Sequence, residues 1–336
     1  MRLHSTPRPC VLPRPEPSDA CAELFVPYAF DAMGCRFELL IGIDRPGLSR
    51  GDGLAMGEEL RDLVLDWHGR LSVFESGSMV SLINHDPAGF ERTIDDELFE
   101  LFTLCDQMRQ QTGGAFNIAS GTLMHAHGFR EEGMDGLDGL SLAQPIVLDE
   151  HSRTITKSDD RIRLDLGAIA KGHMLDLIAL ELNEIGIANA FIHGGTSSAL
   201  GLGVGPDGAP WTVRLGTELD VQLSGFALGV SEGASQTRMS GDRAVGHVMD
   251  PRSCAPVHNQ IQRSACVHKS AAIADAYSTA CTVSPELSQQ FSVDPCTMVL
   301  FGQDQSTTVH DPLSVVRPQT QIHSDQLFID TEDSHD

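Results

Sequence analysis

Basic residues are scarce in this chain of 336 residues: 23 Lys and Arg stand against 47 Asp and Glu, a formal net charge of −24. A field of that sign repels nucleic acid and anionic membrane surfaces, so neither is expected as a partner. It also does nothing to draw in a polyphosphate, so any phosphate site here needs local cations or a metal. Aromatic residues are few as well, 5% with two Trp and two Tyr, which leaves the core to aliphatics and alanine. No run of 18 apolar residues is present, and the Pro- and Arg-rich start from Met1 to Pro17 contains no apolar stretch of signal-peptide type. No membrane insertion is expected, and the expected location is cytoplasmic. The eight cysteines include no C-x-x-C pair, and their spacing suggests neither a zinc site nor a disulfide framework. They read as reduced, buried thiols. No internal repeat is found at a fixed period, and neither a Walker A loop nor G-x-G-x-x-G is present.

What is present reads as one mixed α/β domain. Residues 1–24 form an expected flexible leader, 25–302 the domain, and 303–336 a polar, Asp/Ser-rich tail expected to be partly disordered. Cys35, Phe37, Leu39 and Ile41 alternate with Arg36 and Glu38, which predicts a half-buried strand. Leu54, Leu60, Leu63, Val64, Trp67 and Leu71 recur at helical spacing, as do Leu98, Leu101, Phe102, Cys105 and Met108. A further helix follows Asp165, carrying Leu175, Ile178, Ala179, Leu182 and Ile185 and stopping at Gly186. Short strands are expected over 188–193, 199–204, 211–215 and 226–231, and a small-residue helix over 268–284.

Four segments carry the chemistry. Asp165–Gly172, D-L-G-A-I-A-K-G, puts a carboxylate, glycines and Lys171 where a loop becomes a helix, a place that favours anions; an ordinary loop would read the same way. Gly246–Pro256, G-H-V-M-D-P-R-S-C-A-P, holds a His, an Asp and an Arg in a turn forced by Pro251. His247 titrates near neutrality and can take a proton from a hydroxyl, or it can be a solvated His in a structural turn. Asp275, Ser278 and Thr279 stand at i, i+3 and i+4 on one helix face. One carboxylate and two hydroxyls are hard oxygen ligands suited to Mg²⁺, although Ser and Thr in a helix also bond back to their own backbone. Ile192–Gly205 is glycine-rich, which serves either close approach to a ligand or tight strand packing.

Taken in order, these segments resemble the ApbE family, the FAD:protein FMN transferases, over roughly residues 28–285. Met33-Gly34 is similar to the family's M-G-T, and Leu71–Asn84 resembles L-S-x-Y-x-x-x-S-x-[IL]-x-x-[IL]-N. Thr112–Leu123, T-G-G-A-F-N-I-A-S-G-T-L, resembles T-x-G-A-F-D-x-T-x-G-x-L. D-L-G-A-I-A-K-G, H-V-M-D-P-R-S-C-A-P and A-D-A-Y-S-T match three further family motifs. The resemblance implies an α+β fold, a single compact domain with mainly antiparallel sheet and flanking helices. It implies that Met33, Phe74, Ala115, Phe116, Asn117, Asp165, Lys171 and Met249 line an FAD site. Ala168 (through its carbonyl), Asp275, Ser278 and Thr279 would surround Mg²⁺, and His247 would be the catalytic base. FAD would be the substrate, and the partner an acceptor protein bearing a Ser/Thr motif of the type D-G-A-[ST]-x-A-T. This chain contains no copy of that motif, so self-modification is not expected. The chain departs from the family pattern at Phe74, where members carry Tyr, at Asn117, where they carry Asp, at Ser278, where they carry Asp or Ala, and at Cys254, where they carry Gly. Two other readings remain at this stage: an FAD pyrophosphatase that uses water, and a flavin-binding protein without turnover.

Overall fold

The computed structural model describes residues 24–129, 136–216, 219–233, 237–240, 243–246, 248–257, 260–290 and 295–318. His247 lies outside these residues, as do all of the expected leader but Leu24 and the last part of the expected tail.

The N-terminal alternation folds into a hairpin. Phe25–Ala32 (β1) and Cys35–Gly42 (β2) pair antiparallel, and Phe37, Leu39 and Ile41 point into the core. Six further strands extend this sheet: Ala190–Gly194 (β3), Ser198–Leu202 (β4), Phe226–Glu232 (β5), Ile261–His268 (β6), Thr297–Gly302 (β7) and Thr307–His310 (β8). Their order in space is their order in the chain, and every neighbouring pair is antiparallel. Both faces of the central strands are covered, which the sequence encodes with period two. Ile192, Leu200, Ala227, Cys266, Met298 and Leu300 face a core shared with the helices. Their neighbours Phe191, Ala199, Leu228, Ala265, Val267 and Val299 face a second core under a three-stranded sheet of 211–215, 219–223 and 316–318.

The helices are Arg50–Leu71 (α1), Met79–His85 (α2), Asp96–Gln111 (α3), Ser120–Ala126 (α4), Ala170–Glu184 (α5) and Ala271–Val283 (α6). In α1 the buried stripe is Gly53, Gly57, Leu60, Val64, Trp67 and Leu71. Leu54, expected on that stripe, is 41% exposed, because Gly53 takes the inward position against Val26 and the next residue is turned about 100° away. The α3 periodicity holds at every expected residue. The whole forms an α+β fold built mainly on one eight-stranded antiparallel sheet, with smaller antiparallel sheets beside it. No helix among the described residues is long and apolar enough to cross a membrane.

The segment from 303, expected as a loose tail, carries β8 and the strand Val316–Pro318 as far as 318. Its threonines suit an exposed edge strand. The carboxylate of Asp311 anchors the start of that last strand by accepting from Val315 N (3.0 Å), Val316 N (3.0 Å) and Thr297 Oγ1 (2.6 Å).

Candidate active site

The site is built where α5 and α6 begin. Asp165 Oδ1 accepts from Gly167 N (2.8 Å), closing a turn, and Asp165 N donates to the Ile118 carbonyl (2.7 Å). The chain then enters α5 behind Ile169, which offers no side-chain cap. The free N–H of Gly172 is instead satisfied from α6, by Asp275 Oδ2 at 2.8 Å. The reverse contact exists too: Asp176 of α5 accepts from Ala271 N (2.7 Å), Ala272 N (3.0 Å) and Ser270 Oγ (2.6 Å) at the start of α6. Each helix thus supplies the carboxylate that stabilises the other's positive end. Such closeness needs glycine. A Cβ on Gly172 would collide with the Ala271 carbonyl, and one on Gly229 of β5 would collide with the backbone of Ala274 and Asp275.

Asp275 is consequently buried, and burial pushes its carboxyl up to about 7 against the opposing pull of Lys171, the Ser198 hydroxyl and Gly172 N–H, with Asp176 adding to the rise. Ser198 Oγ lies 2.9 and 2.8 Å from the two carboxylate oxygens. Lys171, one residue before Gly172, makes no hydrogen bond or ion pair among the described residues.

Above this floor lies an open cleft of about 420 Å³. It brings together Ala115, Phe116, Asn117, Asp165, Ala168, Lys171, Met249, Asp275 and Thr279, all singled out in the sequence. The Thr112–Asn117 wall is shaped by Gly113 and Gly114, both left-handed (φ 57 and 85), and by Thr112 Oγ1, which accepts from Phe116 N at 3.0 Å. Beside it, Met249 and Pro251 from the short hairpin of Met249–Asp250 and Ala255–Pro256 also line the cleft. There Arg252 pairs with Asp250 (2.9 Å) and donates to Ser284 Oγ (2.9 Å), tying the turn to the end of α6. Asn84, the last residue of the Leu71–Asn84 motif, braces the segment before Asp165: it accepts from Leu164 N (2.6 Å) and donates to the Leu164 carbonyl (2.9 Å).

Three expected residues stand apart from the cleft wall. Met33 sits in the β1–β2 turn, its N–H donating to His68 Nδ1 at 2.8 Å. Phe74 is 78% exposed between α1 and α2. Ser278 is fully buried, its hydroxyl donating to the Asp275 carbonyl at 2.9 Å.

Comparison with known proteins gives the family and the fold. Residues 33–293 match the sequence model of the ApbE family, more than half of the chain. The chain belongs to the ApbE family. It is 23% identical over 261 residues to the FAD:protein FMN transferase of Vibrio cholerae, covering 73% of this chain and 77% of that protein. It is 26% identical over 271 residues to the FAD:protein FMN transferase of Rhodobacter capsulatus, where 74% of this chain spans half (50%) of the relative. The fold is that of the flavin transferase ApbE from Vibrio cholerae (TM-score 0.71, 19% identity, 85% of this chain and 96% of that one). The Pseudomonas stutzeri flavinyl transferase ApbE in its apo form is similar too (TM-score 0.72, 22% identity, 85% and 94%).

Against the ApbE pattern, the departures acquire physical content. Asn117 uses both ends of its amide, donating to the Leu142 carbonyl (2.8 Å) and accepting from Ala119 N (2.9 Å); an aspartate could not make the first bond. Cys254 stands with φ 53, in the left-handed region that the family's glycine enters without strain. The sequence pattern did not single out Ser231 or Glu232, which line the cleft, and it did not show that Ser198 and the Gly172 N–H would hold Asp275. Ser198 lies within the glycine-rich segment Ile192–Gly205, whose signal was its glycines. Glu232 is paired with Arg263 Nε at 3.0 Å. Among the described residues the cleft carries three carboxylates, Asp165, Glu232 and Asp275, and one lysine. Among the described residues no three His, Cys, Asp or Glu side chains cluster as a metal site.

Proposed function

We propose that this chain is a Mg²⁺-dependent FAD:protein FMN transferase, moving FMN from FAD to a Ser or Thr hydroxyl of an acceptor protein and releasing AMP. The observation that carries the reading is the convergence, in one cleft, of Lys171, Asp275 and Thr279 with Ala115, Phe116, Asn117, Asp165 and Met249 from the residues matched to the family's flavin site. The donor set fits Mg²⁺: one carboxylate and hydroxyl oxygens are too few and too hard for zinc, but suit a cation that keeps water and shares phosphate oxygens. The acidity of the cleft makes a divalent cation useful, since a pyrophosphate brought beside three carboxylates is otherwise opposed. Asp275, Thr279 and the Ala168 carbonyl would hold the ion, which when bound neutralises charge on the pyrophosphate oxygens.

The chain's own residues do the rest. Ala115, Phe116 and Met249 give the flavin an apolar wall, with the amide of Asn117 beside them, as small-molecule sites require. Lys171 contributes the positive charge of the cleft. His247, outside the described residues, takes the proton of the acceptor hydroxyl. That oxygen bonds to the phosphorus of the FMN half as the bridging P–O bond breaks, and AMP leaves with the bridging oxygen. Positioning and charge neutralisation dominate such transfers.

The test is to incubate the purified protein with FAD, Mg²⁺ and an acceptor peptide containing D-G-A-[ST]-x-A-T, measuring AMP and peptide-bound flavin together. Both should appear in equal amounts, and His247→Ala should slow both by about 10²–10⁴-fold. AMP and free FMN without labelled peptide would make the protein a pyrophosphatase. FAD binding without AMP would make it a flavin-binding protein.

A further inference from the structure

The hydroxyls behind Asp275 form a chain whose direction can be deduced. Ser278 Oγ donates to the Asp275 carbonyl at 2.9 Å. A hydroxyl has a single proton, so towards Ser231 Oγ, 3.0 Å away, Ser278 can only accept. Ser231 therefore commits its proton to Ser278, and towards Thr279 Oγ1, 2.9 Å away, Ser231 can only accept. Thr279 is left as the donor of that last bond. Its lone pairs then remain for the cleft that it and Ser231 line, while Ser278 is fully enclosed beneath them.

We propose that Ser231 and Ser278 are positioning residues for a divalent cation: their relay turns the Thr279 proton away from the cleft, so that Thr279 Oγ1 meets the ion lone pair first. A hydroxyl that pointed its proton into the cleft would oppose a cation and would have to rotate, with loss of a hydrogen bond, before it could ligate. The relay ends on a backbone carbonyl of the residue whose carboxylate is the other ligand, so both oxygens are fixed to one turn of α6. Ser278 thus leaves the ligand set read from sequence and becomes the anchor of the relay. This inference rests on the Mg²⁺ reading above.

The experiment measures Mg²⁺ binding to the full chain without FAD by calorimetry, with the Mn²⁺ paramagnetic resonance signal as an independent readout. Ser231→Ala should weaken binding about tenfold, the scale of losing a group that orients a metal ligand. Ser231→Thr, which keeps the hydroxyl, should restore wild-type affinity. In a Thr279→Val background Ser231→Ala should have no further effect, whereas a merely structural serine would give an additive loss. Ser278→Ala frees the Ser231 proton to turn towards Thr279 and should also weaken binding; it keeps the test available if Ser231→Ala does not fold. Wild-type affinity in Ser231→Ala and Ser278→Ala, with weak binding in Asp275→Asn, would overturn the relay and leave the cation site standing. Wild-type affinity in Asp275→Asn as well would overturn both.

Discussion

Backbone meets backbone on the floor of the cleft, while side chains hold its hairpin wall. On the floor, Gly172 and Gly229 let α5, α6 and β5 approach until main chains touch, and the carboxylates of Asp275 and Asp176 close the gap reciprocally. In the hairpin, the turn after Asp250 is fastened by the Arg252 side chain, and its left-handed residue is Cys254. Even the glycines of α1 differ from those of the floor, since Gly53 and Gly57 press on the side chains of Val26 and Tyr28, which can move. The lesson is that the half holding Asp275 tolerates almost no change of shape, whereas the half preceded by His247 in sequence is adjustable and carries some strain.

The sharpest way to break this contrast is Gly172→Ala. The added methyl meets the Ala271 carbonyl and the start of α6, neither of which can yield as a flexible side chain does. We expect a loss of about 3 kcal/mol or more in denaturant unfolding. Molecules that still fold should release AMP poorly, because the methyl pushes α5 from α6 and draws the backbone N–H of residue 172 away from Asp275. A stability loss below about 1 kcal/mol would show that the floor is more pliable than described.

A second test lies under the same helix. His173 of α5 packs edge-on against Trp67 of α1, ring centroids 4.8 Å apart, and its buried Nε2 has no hydrogen-bond partner among the described residues. Burial lowers its pKa to about 4, from an unfolded value of about 6.5. The unfolded chain therefore binds the proton more readily. The stability due to neutral His173 is complete above about pH 6.5 and is lost as the pH falls towards 4, by about 3 kcal/mol. His173→Phe should remove that part of the pH dependence between these limits. An unchanged profile would mean that the imidazole is not sealed at the junction of α1 and α5.

The smallest expected effect is a gain. Cys254→Gly should stabilise the protein by about 1 kcal/mol, because the strain of a left-handed non-glycine residue exceeds the added freedom of glycine in the unfolded chain. A lower melting temperature would mean that the thiol earns its place through packing.

Much of this was legible in sequence where the signal is local. The alternation of Phe37, Leu39 and Ile41, the stripe from Leu60 to Leu71 and the α3 repeat are periodicities of single elements, and each folds as its spacing requires. D-L-G-A-I-A-K-G and A-D-A-Y-S-T pointed to the floor of the cleft because their residues sit together in the chain. What was hidden depends on contacts between distant segments. Ser198 and Ser231 are ordinary strand serines until the sheet sets them against α6, and Asp176 reads as a solvent-facing helix residue until Ala271 and Ala272 are brought to it. The strands after 303 were hidden for another reason: an exposed edge strand needs no apolar face, so its composition matches that of a tail.

The chain-order sheet bears on how the protein emerges from a ribosome. Only one pairing, β2 with β3, waits for a long insertion, residues 43–189, to be made. Closing so long a loop costs little in equilibrium terms, about 0.6 kcal/mol for each doubling of its length. Its effect is on timing: the β1–β2 hairpin is complete while the edge of β2 still lacks its neighbour. The helix that comes next in the chain, α1, contributes Leu60, Val64, Trp67 and Leu71 to the same core as Phe37, Leu39 and Ile41. During synthesis α1 can cover the apolar face of the half-built sheet as soon as it is made, and it stays there in the finished fold, so that only the edge of β2 waits for β3.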